Sequence, residues 1–271
     1  MTAIAIKTVT VDKDIQGQHW VVNDIHALAD MIAIISIGQA EHAATIIREL
    51  MPRTPAISRA QLFAEAKAQL NLTGKSEKVR YHRDGFLFEC ISWIAAQQKS
   101  DSRTFLKVPH IKATTQGMDG LIIQLHATRP EVVSTTICED KCTENPRNKF
   151  TQQVLPTFSE HHQHKRSADL LATAVALIKE SGLNGTGAMQ AAERVLDMTY
   201  RTYRAALTVD STFCTIEKRS NLFKGYADLD GLTQKQRIGA TFLADPDLRD
   251  WFQKLADHVT TALTKFEGSH V

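Results

Sequence analysis

The sequence predicts an α/β chain built as a small sheet wrapped by helices, and three observations carry that expectation. Helix-forming residues with apolar positions three and four apart fill residues 20–52, "SRAQLFAEAKAQL" and "GAMQAAERVLDMTYRTYRAAL". Between the second and third of these, from Thr104 to Cys142, β-branched residues and turn signals take over in "TFLKVPHI", "GLIIQLHA", "TRPE" and "VVSTTICEDKC". At 271 residues and 43% hydrophobic, the chain can bury one large core, or a core domain with helical additions.

Taken in order, residues 1–75 form a mainly helical N-terminal region, with Ser58 as an N-cap. "TGKSEKVRYHRDG" is a polar, basic connector, and "FLFECISWIAAQQ" a buried helix. That helix, the antiparallel meander after it and a helix ending near Gly182 define a core over residues 76–182. Residues 183–271 form a C-terminal helical region packed with the rest as one unit, closing on the amphipathic "DPDLRDWFQKLADHVTTALTKF" with Pro246 in its first turn.

Composition excludes several classes. The formal charge of +2, from 32 basic and 30 acidic residues, is too near neutral to mark nucleic-acid binding by itself. The alternating N-terminus "MTAIAIKTVTVDKD" is not an export signal, and "MIAIISIG" is far too short to span a membrane. Four cysteines show neither a disulfide framework nor paired zinc spacing. A cytoplasmic protein with no membrane partner is expected. "GLNGTG" lacks the lysine of a phosphate-binding loop.

Chemistry concentrates in "GMDGLIIQLHATRPEVVSTTICEDKC". Pairing the strands about a turn centred on Arg129 sets Asp119 opposite Glu139. Alternation then puts Leu121, Ile123, Leu125, Val133, Ile137 and Lys141 on that same face, with Gln124, His126, Ser134, Thr136, Cys138 and Asp140 on the other. Two opposed carboxylates repel, and a divalent cation reverses the sign. Asp and Glu oxygens suit Mg²⁺, with Lys141 able to stabilise phosphate charge or position a water. A Glu-x-Lys triplet alone is common; Glu65-Ala66-Lys67 lies in a predicted helix, where residues two apart diverge. Glu89, set among Phe86, Ser92 and Trp93, is a carboxylate in an apolar stripe that needs a partner, either the metal site or Arg83 or a lysine. A helix packed on the hairpin's apolar face would carry it towards Asp119 and Glu139.

Those residues, in that order, resemble the PD-(D/E)XK superfamily of metal-dependent nucleases, whose fold is the restriction-endonuclease-like core. The pattern is a helix with an acidic residue ("GFLFECISWIAA"), a strand beginning with Asp ("GMDGL"), a strand ending in (D/E)-x-K ("CEDKC") and a helix, over about residues 80–182. Met118 stands where that family usually has proline. The resemblance implies that Asp119, Glu139, Glu89 and the Asp140 backbone carbonyl hold Mg²⁺ or Mn²⁺, that Lys141 assists the attacking water, and that the substrate is DNA. The chain also resembles nuclease subunits of bacterial anti-phage defence systems such as Hachiman, which implies antiviral defence and a helicase or ATPase partner subunit. The second reading is a non-catalytic nucleic-acid-binding or assembly subunit retaining the fold; a third is a helical interaction protein with an incidental hairpin.

Basic residues flanking the motif are expected to contact DNA phosphates: Arg80 and Arg83 before the acidic helix, Arg147 and Lys149 just after Lys141, and Lys165 and Arg166 in "HHQHKR", itself read as a solvated helix start. His110, in "KVPHIK", is either an auxiliary of the site or a structural residue.

Overall fold

The computed structural model describes residues 2–110 and 118–268. Two strands, β1 (Ile4–Asp12) and β2 (Ile15–Val22), open the chain. Helices α1 (Ile25–Ser36), α2 (Ala40–Glu49), α3 (Ala60–Leu70) and α4 (Glu77–Gln97) follow. The meander is β3 (Thr104–Leu106), β4 (Gly120–Leu125) and β5 (Val132–Lys141); Ile111 of "TFLKVPHI" lies outside the described residues. Next come α5 (Pro146–Lys149), joined through a π-helical turn to α6 (Leu155–His162), then α7 (Ser167–Glu180) and α8 (Gly185–Glu193). The last third holds β6 (Arg201–Val209), α9 (Ile216–Leu222), β7 (Arg237–Leu243) and α10 (Leu248–Gly268).

All seven strands form one mixed sheet in the order β1-β2-β7-β6-β5-β4-β3. The three adjoining pairs β2·β7, β7·β6 and β6·β5 are parallel, and the outer pairs are antiparallel. The α/β class expected from the sequence is therefore present, but the sheet is larger than a meander. The first residues are a hairpin where a mainly helical region was expected, and β6 and β7 occupy the sheet's centre where only helices were expected. "MTYRTYRAAL" hides its strand because β6 is buried on both faces, with Arg201 and Arg204 buried on hydrogen bonds to the His161 carbonyl and to Ser92, so no alternation of apolar and polar residues marks it.

Each face of the sheet carries its own core. One is closed by α1, α2, α3, α4 and α10 and centres on Leu28, Ile32, Phe88, Ile91, Phe242 and Phe252. The other is closed by the α5–α6 helix, α7 and α8 and holds Ile123, Ile137, Phe150, Phe158, Leu207 and Tyr226. In β7, Gly239 is required by packing: a Cβ there would stand 2.8 Å from the Phe223 ring.

The hairpin register is the expected one over most of its length, with Gly120 opposite Cys138, Leu121 opposite Ile137 and Gln124 opposite Ser134. A bulge then pairs Leu125 with Val132. It buries Val132 and leaves Val133 exposed, so Val133 is not on the apolar face. The acidic helix also packs on the opposite face from the one expected. Ile137 joins the α7 core, whereas Ser92 of α4 lies against Arg204 and Asp140 on the other side. The reason is that α4 carries its own broad apolar surface, Phe86 to Ala96, which the α1 and α10 side absorbs.

Candidate metal centre at the end of β5

Asp119, Glu139 and Lys141 meet where β5 ends and β4 begins. This is also the carboxyl end of the parallel strands β5, β6 and β7, the place where open α/β sheets bind ligands. Lys141 Nζ lies 2.5 Å from Asp119 Oδ2 and 2.9 Å from Glu139 Oε2, so one ammonium bridges both carboxylates. Asp119 Oδ2 also accepts from the Asp140 backbone N–H at 3.0 Å. A strand residue's N–H and C=O leave on the same edge, so the Asp140 carbonyl faces the same end.

The Asp140 side chain turns the other way, as expected, towards Arg204 at 3.4 Å and the α4 face. Arg204 in turn donates to Ser92. Burial raises the affinity of Asp140 for a proton, and Arg204 opposes that.

Glu139 is only 4% exposed; burial and then Asp119 push its pKa up, and Lys141 pulls it down. Burial disfavours the charge of Lys141, but Asp119 and Glu139 outweigh it and hold the amine protonated. In this arrangement Lys141 is a cation, not a base.

Glu89 is brought near but not into this contact. It lines a water-sized cavity of about 20 Å³ with Asp119, Asp140, Lys107 and Arg204. Its Oε1 is already taken by the His110 backbone N–H and by His110 Nδ1, both at 2.9 Å. Burial pushes its pKa up to about 8. The partner of Glu89 is thus His110, neither Arg83 nor a lysine. Lys107, missed in the sequence, completes this side: its Nζ donates to Met118 O at 2.9 Å. The only signal for it was its place at the head of "KVPHIK", just past an ordinary strand end.

Around Asp119 four acids (Glu89, Asp119, Glu139, Asp140) face three cations (Lys107, Lys141, Arg204), and burial favours the protonated forms of Glu89, Glu139 and Asp140. Among the described residues no three His, Cys, Asp or Glu side chains group as a metal-binding cluster. The donor set that remains, two converging carboxylates and a backbone carbonyl, still fits a hard divalent cation. Mg²⁺ is commonly held by one or two carboxylates, with water and phosphate oxygens filling its shell.

The flanking basic residues divide. Arg83 is 2% exposed and bound to Asp84 and Gln253, so it is no phosphate contact. Arg147 donates to the carbonyls of Leu222 and Lys224 and is likewise tied to the fold. Lys165 and Arg166 lie at the opposite end of the sheet. Arg201, which starts β6 beside Thr135, binds the carbonyl of His161 just before them, about 20 Å of strand from Lys141. His161 is 1% exposed, but Gln163, His164 and Lys165 are exposed as expected; "HHQHKR" is the end of α6 and the link to α7 and not a helix start. Arg80 is exposed on the first turns of α4, and Lys149 is half-buried in the first turn after β5. Those α4 turns flank the end of β5, because Arg249 ties Asp84 to Glu144 there.

No family model matches this sequence, and neither does any curated protein or solved structure. No helix of the described residues is long and apolar enough to cross a membrane.

Proposed function

We propose that the chain is a Mg²⁺- or Mn²⁺-dependent nuclease that hydrolyses phosphodiester bonds in DNA, with a restriction-endonuclease-like core formed by α4, β3, β4, β5 and the helix beginning at Pro146. The observation that carries this reading is the convergence of Asp119 and Glu139 on one ammonium at the carboxyl end of β5. An ordinary strand pair avoids opposed carboxylates, and a divalent cation would offset their repulsion. The order of acidic helix, Asp-bearing strand and Glu-x-Lys strand supports the same reading.

Asp119, Glu139 and the Asp140 carbonyl would hold the cation. Bound there, it would polarise a non-bridging phosphate oxygen and lower the pKa of a water. Lys141, kept protonated by its two acids, offers positive charge to the phosphate as negative charge develops. Glu89 acts outside the ligand set, since His110 holds it. Arg80 and Lys149 offer charge to the DNA backbone on either side. A cytoplasmic defence role with a helicase or ATPase partner is part of the same proposal.

A second reading has one observation in its favour. Lys141 already bridges both acids, as it would in a non-catalytic subunit that retained the fold. Supercoiled plasmid incubated with the protein in Mg²⁺ or Mn²⁺, beside EDTA controls, separates the two. We expect nicking or linearisation that EDTA abolishes and that Glu139→Ala and Lys141→Ala lower by about a hundredfold or more. Cleavage that survives both substitutions sinks the site. Wild-type protein that never cuts DNA, in either metal, favours the second reading.

A further inference from the structure

Lys107 lies one residue beyond β3, and its ammonium reaches Met118, two residues before β4 begins. Nζ donates to the Met118 carbonyl at 2.9 Å and lies 2.7 Å from Nε2 of His110. His110 gives its backbone N–H and its Nδ1 to one oxygen of Glu89. These neighbours fix the tautomer: an Nδ1 proton facing the carboxylate leaves Nε2 to accept from the ammonium. An unbroken chain of hydrogen bonds therefore runs from α4 through Glu89, His110 and Lys107 to the residue before Asp119.

The placement of Lys107 is informative. Burial lowers its pKa, and Glu89 and Asp119 raise it, so the charge is half-buried within their field. Yet its hydrogen bond goes to the carbonyl beside Asp119 and not to a carboxylate. Asp119 precedes the first ladder pair, Gly120 with Cys138, so the β4–β5 ladder does not hold its backbone. The direction of its carboxylate depends on the backbone at Met118, and that is where Lys107 is anchored.

We propose that Lys107, braced by His110 and Glu89, is a positioning residue that fixes the Met118 backbone and so aims the Asp119 carboxylate at the cation. The inference rests on the nuclease reading above and concerns a residue outside its ligand set.

Two effects of removing Lys107 have opposite signs, which makes the proposal testable without an activity assay. Taking one positive charge away from a cluster of acids strengthens its attraction for a cation. Loosening a ligand by removing its support weakens metal affinity, by about tenfold to a hundredfold for such outer partners.

The test is a Mn²⁺ titration of the whole, metal-stripped protein by calorimetry, on wild type, Lys107→Met, Lys107→Arg and His110→Asn, with thermal melts as the folding control. Expected are a Kd for Mn²⁺ raised about tenfold or more in Lys107→Met, a smaller rise in His110→Asn, and recovery towards wild type in Lys107→Arg. His110→Asn keeps a donor for Glu89 and reads the brace even where Lys107→Met folds poorly. Wild-type binding with equal or tighter binding in Lys107→Met and His110→Asn overturns the clamp and leaves the nuclease reading standing. No Mn²⁺ binding by wild type overturns both.

Discussion

Two ion networks stand beside the end of β5, and they are built on opposite plans. In the first, Arg83 grips Asp84 Oδ1 with two nitrogens, at 3.0 and 2.7 Å, while Arg249 takes Asp84 Oδ2 at 2.8 Å and Glu144 at 2.7 Å. Two cations meet two acids, and both Asp84 oxygens are used. Arg249 also lies 4.5 Å from the Tyr81 ring centre. In the second, three cations face four acids around Asp119, two of the acids share one ammonium, and Asp119 is 26% exposed. The first network is closed and joins α4, α10 and the segment after β5. The second leaves Asp119 and Glu139 sharing one ammonium at an opening, the arrangement on which the metal-site proposal rests.

The contrast predicts stability changes of opposite character. Asp84→Ala leaves the buried Arg83 guanidinium without an acid and Arg249 with Glu144 alone, so urea denaturation should show a loss of about 3–5 kcal/mol. A loss below about 1 kcal/mol would mean that this network is not structural.

His161 tests a buried group that carries no charge. Burial, then Arg166 and Arg201, lower its pKa to about 4, against a weak opposing pull from Asp169. Because the folded value lies below the ordinary 6.5, folding favours the neutral ring. Its contribution is complete above about pH 6.5 and drains as pH falls towards 4, by up to about 3 kcal/mol. Denaturation of His161→Phe across that window should lose less stability than wild type. Parallel losses in the two proteins would assign the acid sensitivity elsewhere.

At the candidate metal centre the sign reverses. Glu139→Gln removes a repelled, buried carboxylate and should leave stability unchanged or raise it by up to about 1 kcal/mol. If it costs as much as Asp84→Ala, the two networks are alike and the comparison fails.

The smallest effect lies on the rim. Arg80→Ala should weaken binding of a DNA duplex by cleavage-defective Glu139→Gln protein a few-fold and flatten the salt dependence by about one unit of slope, while Lys165→Ala should leave both alone. Equal effects would place DNA along the whole length of the sheet.

The hairpin was legible in the sequence because a half-buried antiparallel pair must alternate. That alternation fixed Gly120 against Cys138 and brought Asp119 beside Lys141 and Glu139. The bulge at Leu125 was not legible, since one inserted residue leaves no mark in a pattern as short as "VVSTT". Nor were β6 and β7, whose two buried faces erase the period of two. In β1 the alternation of "IAIKTVTVD" was visible, but nothing nearby named its partner strand. The face on which Glu89 arrives was set by the rest of α4, not by Glu89. Lys107 and His110 become meaningful only through the bond to Met118, a contact between segments that no spacing along the chain encodes.

The parallel pairing of β2 with β7, Gln16 beside Ile238 and Trp20 beside Phe242, joins the beginning of the described chain to its last strand. β5 waits in the same way for β6, which supplies Arg204 to the buried Asp140. Long-range pairings of this kind form late and slowly. The candidate site is therefore complete only when the sheet has closed from β2 to β5: the hairpin carries Asp119, Glu139 and Lys141, and β6 adds the Arg204 that holds Asp140 on the other face.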